Sequence, residues 1–258
     1  MDRRNIDKIA QSPEDRVLLA KIWDKITAGM DRNIPASTGF LSPREQEMAR
    51  YLFGQQEGLF FFGGYADAER KMLIYLPDYI DRDFYEYPIV CLRGKFYQQD
   101  TLTHRDFLGA LMGLGISRKT VGDICVTEGS CDFFVTEEIA PYLLQNMESA
   151  GRTKLKLSPI PFQEAHIPEA ETVVIRDTVA SLRLDSVLSS GFRVARSLAG
   201  QYISSGKVAI NNLPCEKPDK LLQQNDAVSV RGLGKIKLTA VNGLTKKGRI
   251  SVVIDRYV

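Results

Sequence analysis

The run Arg183–Asn212, RLDSVLSSGFRVARSLAGQYISSGKVAINN, constrains this chain more tightly than any other segment. It reads as a short helix, a glycine stop, a second helix, another glycine stop, and a strand that ends in a turn. Leu184, Val187 and Leu188 fall on one side of the first helix at helical spacing. Gly191 stands where a left-handed C-cap is expected. Val194, Ala195, Leu198, Ala199, Tyr202 and Ile203 form the predicted buried side of the second helix, which Gly206 stops. That leaves Arg183, Arg193, Arg196, Ser197 and Gln201 on the outer face. Arg193 and Arg196 are predicted at the start of the second helix, where free backbone N–H groups and the helix dipole favour an anion. The pattern suits a phosphate seat.

Charge points the same way. From Leu182 to Val258 there are 13 Lys and Arg against five acids, a net +8. The whole chain carries +2, so the first 181 residues hold −6. A nearly neutral protein therefore contains a strongly basic C-terminal third. A solvated lysine-rich surface is the bland account of such charge. The two-helix pattern makes RNA binding the better one.

These residues resemble the S-four domain, a small RNA-binding module named after a ribosomal protein. The matching positions are Arg183, Leu184, Asp185, Leu188, Gly191, Arg196, Ala199, Ile203, Gly206, Val208, Ile210 and Asn211. Pro218, Asp226, Val228, Val230, Arg231 and Gly232 continue the motif. Two positions depart from it. Ala195 replaces the serine before the arginine, and Asn212 replaces the turn glycine, which asparagine can do because it accepts a positive φ. On this reading Arg183, Arg193 and Arg196 hold phosphates, flanked by Ser197 and Gln201. Lys207 and Asn211 contact the backbone from turn and strand, and Arg231 and Lys235 extend the track. Asp185 takes a structural role.

Upstream, Ser12-Pro13-Glu14-Asp15 and Ser42-Pro43-Arg44-Glu45 are helix starts, the second with a capping box. Leu19, Ile22, Trp23 and Ile26 line the first helix; Met48, Tyr51 and Leu52 face inward from the second, which Gly54 ends. Residues 59–65 and 71–76 read as a hairpin, so residues 1–80 make a small α/β module. Residues 81–162 then take the order βαββαβ, the ferredoxin-like plait. Its strands are 89–96, 121–126, 131–135 and 154–160. One helix is capped by Thr103 and Asp106 and buries Phe107, Leu108, Leu111 and Met112; the other carries Ile139, Leu143 and Met147 and ends at Gly151. Phe133 and Phe134 are either strand filler or, for one of them, a base-stacking surface. Pro161, Pro168, Glu164, Glu169 and Glu171 mark a linker. A short strand, 172–176, leads into the basic module, residues 170–258. There, 235–241 and 249–254 form a closing hairpin with Asn242-Gly243 as its turn. The expected class is α+β, in three small modules.

The runs LTHRDFLGALMGLGISRKTVGDI and EEIAPYLLQNM resemble the YlmH family of bacterial S-four proteins. That resemblance implies an N-terminal module, a plait-like RNA-binding domain and a C-terminal S-four domain. It also implies rRNA and tRNA as partners, on large ribosomal subunits that still hold peptidyl-tRNA after a translation stall, in ribosome quality control. Arg118 and Lys119, with Arg105 at the other end of the preceding helix, are either a second phosphate contact or a solvated loop.

No apolar run approaches the ~20 residues that span a bilayer, and the N-terminus lacks a signal-peptide core. Cys91, Cys125, Cys131 and Cys215 form no CxxC pair and lie far from His104 and His166 in sequence. The expectation is a reduced, cytoplasmic monomer without metal or cofactor. The single RLD triplet runs into Ser186-Val187-Leu188, not the Thr-x-Gly of pseudouridine synthases. Phe62-Gly63-Gly64-Tyr65 lacks the third glycine of a methyltransferase cofactor loop. A non-catalytic RNA-binding factor is therefore expected. The alternatives are an RNA-modifying enzyme acting through the N-terminal two-thirds, or a protein-docking adaptor that the basic domain tethers to RNA.

Overall fold

The computed structural model describes residues 3–169, 171–245 and 248–257. The chain divides into two compact units, Met1–Pro168 and Glu169–Val258. In the first, helix α1 (Ile6–Ile9) precedes α2 (Pro13–Arg32). The Ser12 hydroxyl accepts from the Asp15 N–H to start α2. Strand β1 (Ala36–Ser37) leads to α3 (Pro43–Phe53), which opens with the full Ser42/Glu45 capping box, and then to the hairpin β2 (Leu59–Phe62) and β3 (Met72–Tyr75). Leu19, Ile22 and Ile26 of α2 pack with Met48, Ala49, Leu52 and Phe53 of α3. Tyr51 is exposed: the core uses positions 48, 49, 52 and 53, and residue 51 lies off that stripe.

The plait comes next as β4 (Ile89–Lys95), α4 (His104–Gly113), β5 (Val121–Thr127), β6 (Ser130–Thr136), α5 (Ala140–Asn146), a small hairpin β7 (Ser149–Ala150) and β8 (Thr153–Lys154), then β9 (Lys156–Ile160). The sheet order is β5-β6-β4-β9, antiparallel throughout. This is the order the βαββαβ pattern requires. Phe107 and Leu111 of α4 are buried, whereas Met112 lies off their stripe and is exposed. Helix α5 ends at Asn146, and Gly151, at φ 56°, serves the β7–β8 turn rather than a helix stop.

Both faces of this sheet are covered. Phe133 of β6 points into the core under α4 and α5, while its neighbour Phe134 points the other way. There it meets Phe40, Met72 and Ile74 of the N-terminal module, with Tyr65 and Phe162 packed against its ring. Gly64, at φ 101°, lies flat on the Phe134 ring, leaving no room for a side chain. Neither phenylalanine is a stacking platform. The segment after β9 is also packed down: Phe162 joins that core, and the Arg93–Asp132 pair, which is buried, binds Glu164 O and His166 N–H. Residues 161–167 are thus sheet cover, not free linker.

In the second unit, β10 (Thr172–Val179) is followed by α6 (Leu184–Phe192), α7 (Arg196–Ser204), β11 (Val208–Ile210), β12 (Leu213–Pro214), β13 (Ala227–Val230), β14 (Gly234–Leu244) and β15 (Ile250–Tyr257). The sheet order is β10-β15-β14-β13-β11-β12. Strand β10 runs longer than its sequence suggests because β15 pairs with it over eight positions. Asn211 and Asn212 both take positive φ (47° and 67°), making the tight turn between β11 and β12. Asn242-Gly243 is a register irregularity inside β14; the reversal comes at Thr245–Arg249, where Thr245 N–H donates to Arg249 O. Lys246 and Lys247 lie outside the described residues.

Candidate nucleic-acid interface

Leu184, Val187 and Leu188 of α6 and Ala199 and Ile203 of α7 are fully buried against the sheet. Ala195 and Leu198 are exposed, so the second helix buries a narrower stripe than its composition suggests. Helix α6 does not stop at Gly191. It runs on to Phe192, and Arg193 itself takes the left-handed C-cap at φ 55°, ψ 44°. Gly191 serves close packing instead: a Cβ there would sit 2.7 Å from the Ile236 Cδ1 of β14. Arg193 therefore belongs to the end of α6, and only Arg196 opens α7. The side chain of Arg193 is exposed and without a hydrogen-bond or ionic partner among the described residues.

Asp185 organises the other two arginines. Its carboxylate, 7% exposed, accepts from Arg183 Nε and Nη2 at 3.3 and 3.2 Å. It also accepts from Arg196 Nη2 at 3.1 and 3.0 Å. Burial by itself would raise the Asp185 pKa, but the hydrogen bonds and charges of the two guanidiniums outweigh it and hold the carboxyl below its ordinary value. One buried acid thus fixes two half-exposed arginines on a single face. Ser197 and Gln201 are exposed one helical turn apart on α7.

A second basic group lies at the far end of α7, about 13 Å along its axis at 1.5 Å per residue. Arg231 N–H donates to Lys207 O, which brings these two exposed residues side by side. The Lys207 ammonium lies over the Tyr202 ring and that of Lys235 over Tyr257, at 5.5 and 5.1 Å from the centroids. Asn211 is spent internally: its amide nitrogen donates to Asp226 and its oxygen accepts from Ala227 N–H. In the first unit, Arg118 is likewise spent, its Nη1 donating to Val121 O and Gly122 O, and burial lowers its pKa. Arg105 and Lys119 are exposed, beside the N-terminal and beyond the C-terminal end of α4. Burial pushes the Cys91 thiol up to about 12 and that of Cys125 to about 11, so neither is a nucleophile near neutral pH. Among the described residues no cluster of ligating side chains suits a metal ion, and no helix is long and apolar enough to cross a membrane.

Two parts of the chain match known families. Residues 88–164 match the model described as "Putative RNA-binding domain in YlmH", and residues 182–228 match the S4 domain. The chain is 34% identical over 221 residues to "Ribosome-associated protein quality control protein P2" of Bacillus subtilis (strain 168), covering 85% of this chain and 86% of that protein. The chain belongs to the YlmH family. A solved structure, "Cell division protein ylmH from Streptococcus pneumoniae", aligns with a TM-score of 0.52 at 24% identity, over 62% of this chain and 98% of that one. At that identity the likeness speaks for fold alone. In this YlmH-family chain the S4 match encloses Arg183, Arg193, Arg196 and Lys207 but stops short of Arg231, Lys235 and Arg249. Sequence marks Asp185 only as a structural aspartate; its hold on two arginines, one of them 11 residues away, needs the tertiary fold.

Proposed function

We propose that this chain is a non-catalytic, cytoplasmic, monomeric RNA-binding factor that grips structured rRNA or tRNA on the large ribosomal subunit. In this reading the bound subunit carries peptidyl-tRNA after a translation stall; the Bacillus subtilis relative is named as a ribosome-associated quality control protein, which supports the ribosomal setting. The observation that carries the reading is the α6–α7 face, where Asp185 presents Arg183 and Arg196 beside Arg193, whose side chain has no partner among the described residues. Guanidiniums fixed by a buried acid are preorganised donors for phosphate oxygens. Contacts of this kind read the shape of an RNA backbone rather than its bases. Lys207 and Arg231 extend the same positive track, and Arg105 and Lys119 offer separate contacts from the first unit.

The test is ultraviolet crosslinking to RNA in cells, comparing the native chain with Arg193→Glu/Lys207→Glu. Arg196 is left alone because it also neutralises Asp185. Reads concentrated on large-subunit rRNA and tRNA, and lost in the variant, are expected. Reads scattered over messages, or unchanged in the variant, would overturn the proposal.

A further inference from the structure

The end of β10, helix α6, the start of α7 and Arg249 line a cleft of about 390 Å³. Arg193, Arg196 and Arg249 all line it, each from a different element, together with Ser186 and Ser190. Arg249 lies outside the S4 match. It is anchored from the side: its Nε donates to Thr178 Oγ1 at 2.9 Å and its Nη2 to Thr178 O, which leaves Nη1 without a partner among the described residues. Asp177 is the counter-charge in the cleft. Its carboxylate is occupied by the Ser190 hydroxyl at 2.6 Å and the Thr178 N–H at 2.7 Å, and it forms no ion pair with Arg249. Asp185 already pairs with Arg196, so the positive charge left in the cleft comes from Arg193 and Arg249 against Asp177.

We infer that this cleft is a discrete seat for one phosphodiester group of the RNA backbone, with Arg249 as a contact residue and Thr178 as its positioning residue. The inference rests on the proposed RNA-binding function and extends it to a part of the fold that the S4 match does not reach. A phosphate fits better than a protein carboxylate. The Arg193 guanidinium and the open Nη1 of Arg249 approach from different elements, which suits the several oxygens of a phosphate, and the seat adjoins the Arg183–Arg196 face.

The test uses the full chain with unfractionated tRNA as the probe, with dissociation constants read by fluorescence anisotropy across a KCl series. Arg249→Gln is expected to lower the slope of log affinity against log salt by about 0.7–0.9 and to weaken binding about five- to eightfold at 0.1 M salt. Arg249→Lys should keep the slope. Thr178→Val keeps every charge but frees the arginine, so affinity should fall about twofold or more with the slope unchanged. Thermal melting by circular dichroism checks that each variant stays folded. Native-like binding by a folded Arg249→Gln, while Arg193→Gln weakens it, would overturn the seat and leave the helix-pair reading standing. Native-like binding by both would overturn the two together. Binding of millimolar inorganic phosphate to the chain at fixed ionic strength with no loss of tRNA affinity would overturn the assignment to the RNA backbone.

Discussion

Arg193 sets stability against binding, and Arg193→Gly separates them. A left-handed conformation costs an L-residue about 1–2 kcal/mol, and Arg193 adopts it at φ 55° where glycine is the usual occupant. Glycine relieves that strain but adds unfolded-state freedom worth about 0.5–1 kcal/mol. The balance is centred on a gain of about 0.75 kcal/mol, within about 0–1.5, since the exposed side chain has no partner to lose among the described residues. For a unit the size of Glu169–Val258 this raises the melting temperature by about 2–8 °C. On the proposed function the same substitution removes one phosphate contact and should weaken RNA binding about five- to eightfold at 0.1 M salt. Backbone strain kept against such a gain fits the proposed phosphate contact. Thermal melting by circular dichroism and anisotropy with tRNA read the two effects on one sample. A lower melting temperature would refute the backbone argument. Undiminished affinity would refute the contact.

Three further outcomes test the rest of the structure. Asp185→Asn should be about 1.5–3 kcal/mol less stable at pH 7, since hydrogen bonds to a charged group are lost. Because the folded-state pKa of Asp185 is depressed, its contribution is present above 3.8 and lost as pH falls through the folded value, so urea midpoints of variant and parent should converge in acid. Asp132→Ala strands the nearly buried Arg93 and frees His166 N–H, costing about 3–5 kcal/mol; limited proteolysis should then cut within residues 161–168. Gly64→Ala combines a positive φ with a clash against the Phe134 ring and should lower the denaturation midpoint of the first unit by the equivalent of about 2–4 kcal/mol. A variant that unfolds like the parent would show that the N-terminal module does not seal the sheet.

Much of this fold is written locally. Ser12, Ser42 and Thr103 each announce a helix because a cap is a bond between residues three apart. The βαββαβ order likewise leaves few ways to pair four strands. The α6–α7–β11 pattern and its flanking arginines were legible for the same reason: turns and helix faces are short-range properties. Tyr51, Met112 and Leu198 show the limit of that reading, since a stripe a few residues wide does not fix where its edge meets the core.

What the sequence alone determined was the set of elements, the basic C-terminal third and the arginines that cluster there. Only the tertiary structure decided how those residues are used. Gly191 and Arg193 exchanged their expected roles because Ile236 and Ile254, more than 40 residues on, approach the helix too closely for a side chain at 191. Arg118 and Asn211 turned from contacts into internal donors because nearby carbonyl and carboxylate oxygens came within hydrogen-bond reach. Arg249 entered the cleft because β15 pairs with β10 and carries the turn to Thr178. Periodicity and capping act over one or two turns of chain, whereas burial and the spending of a polar group depend on neighbours that sequence distance does not reveal.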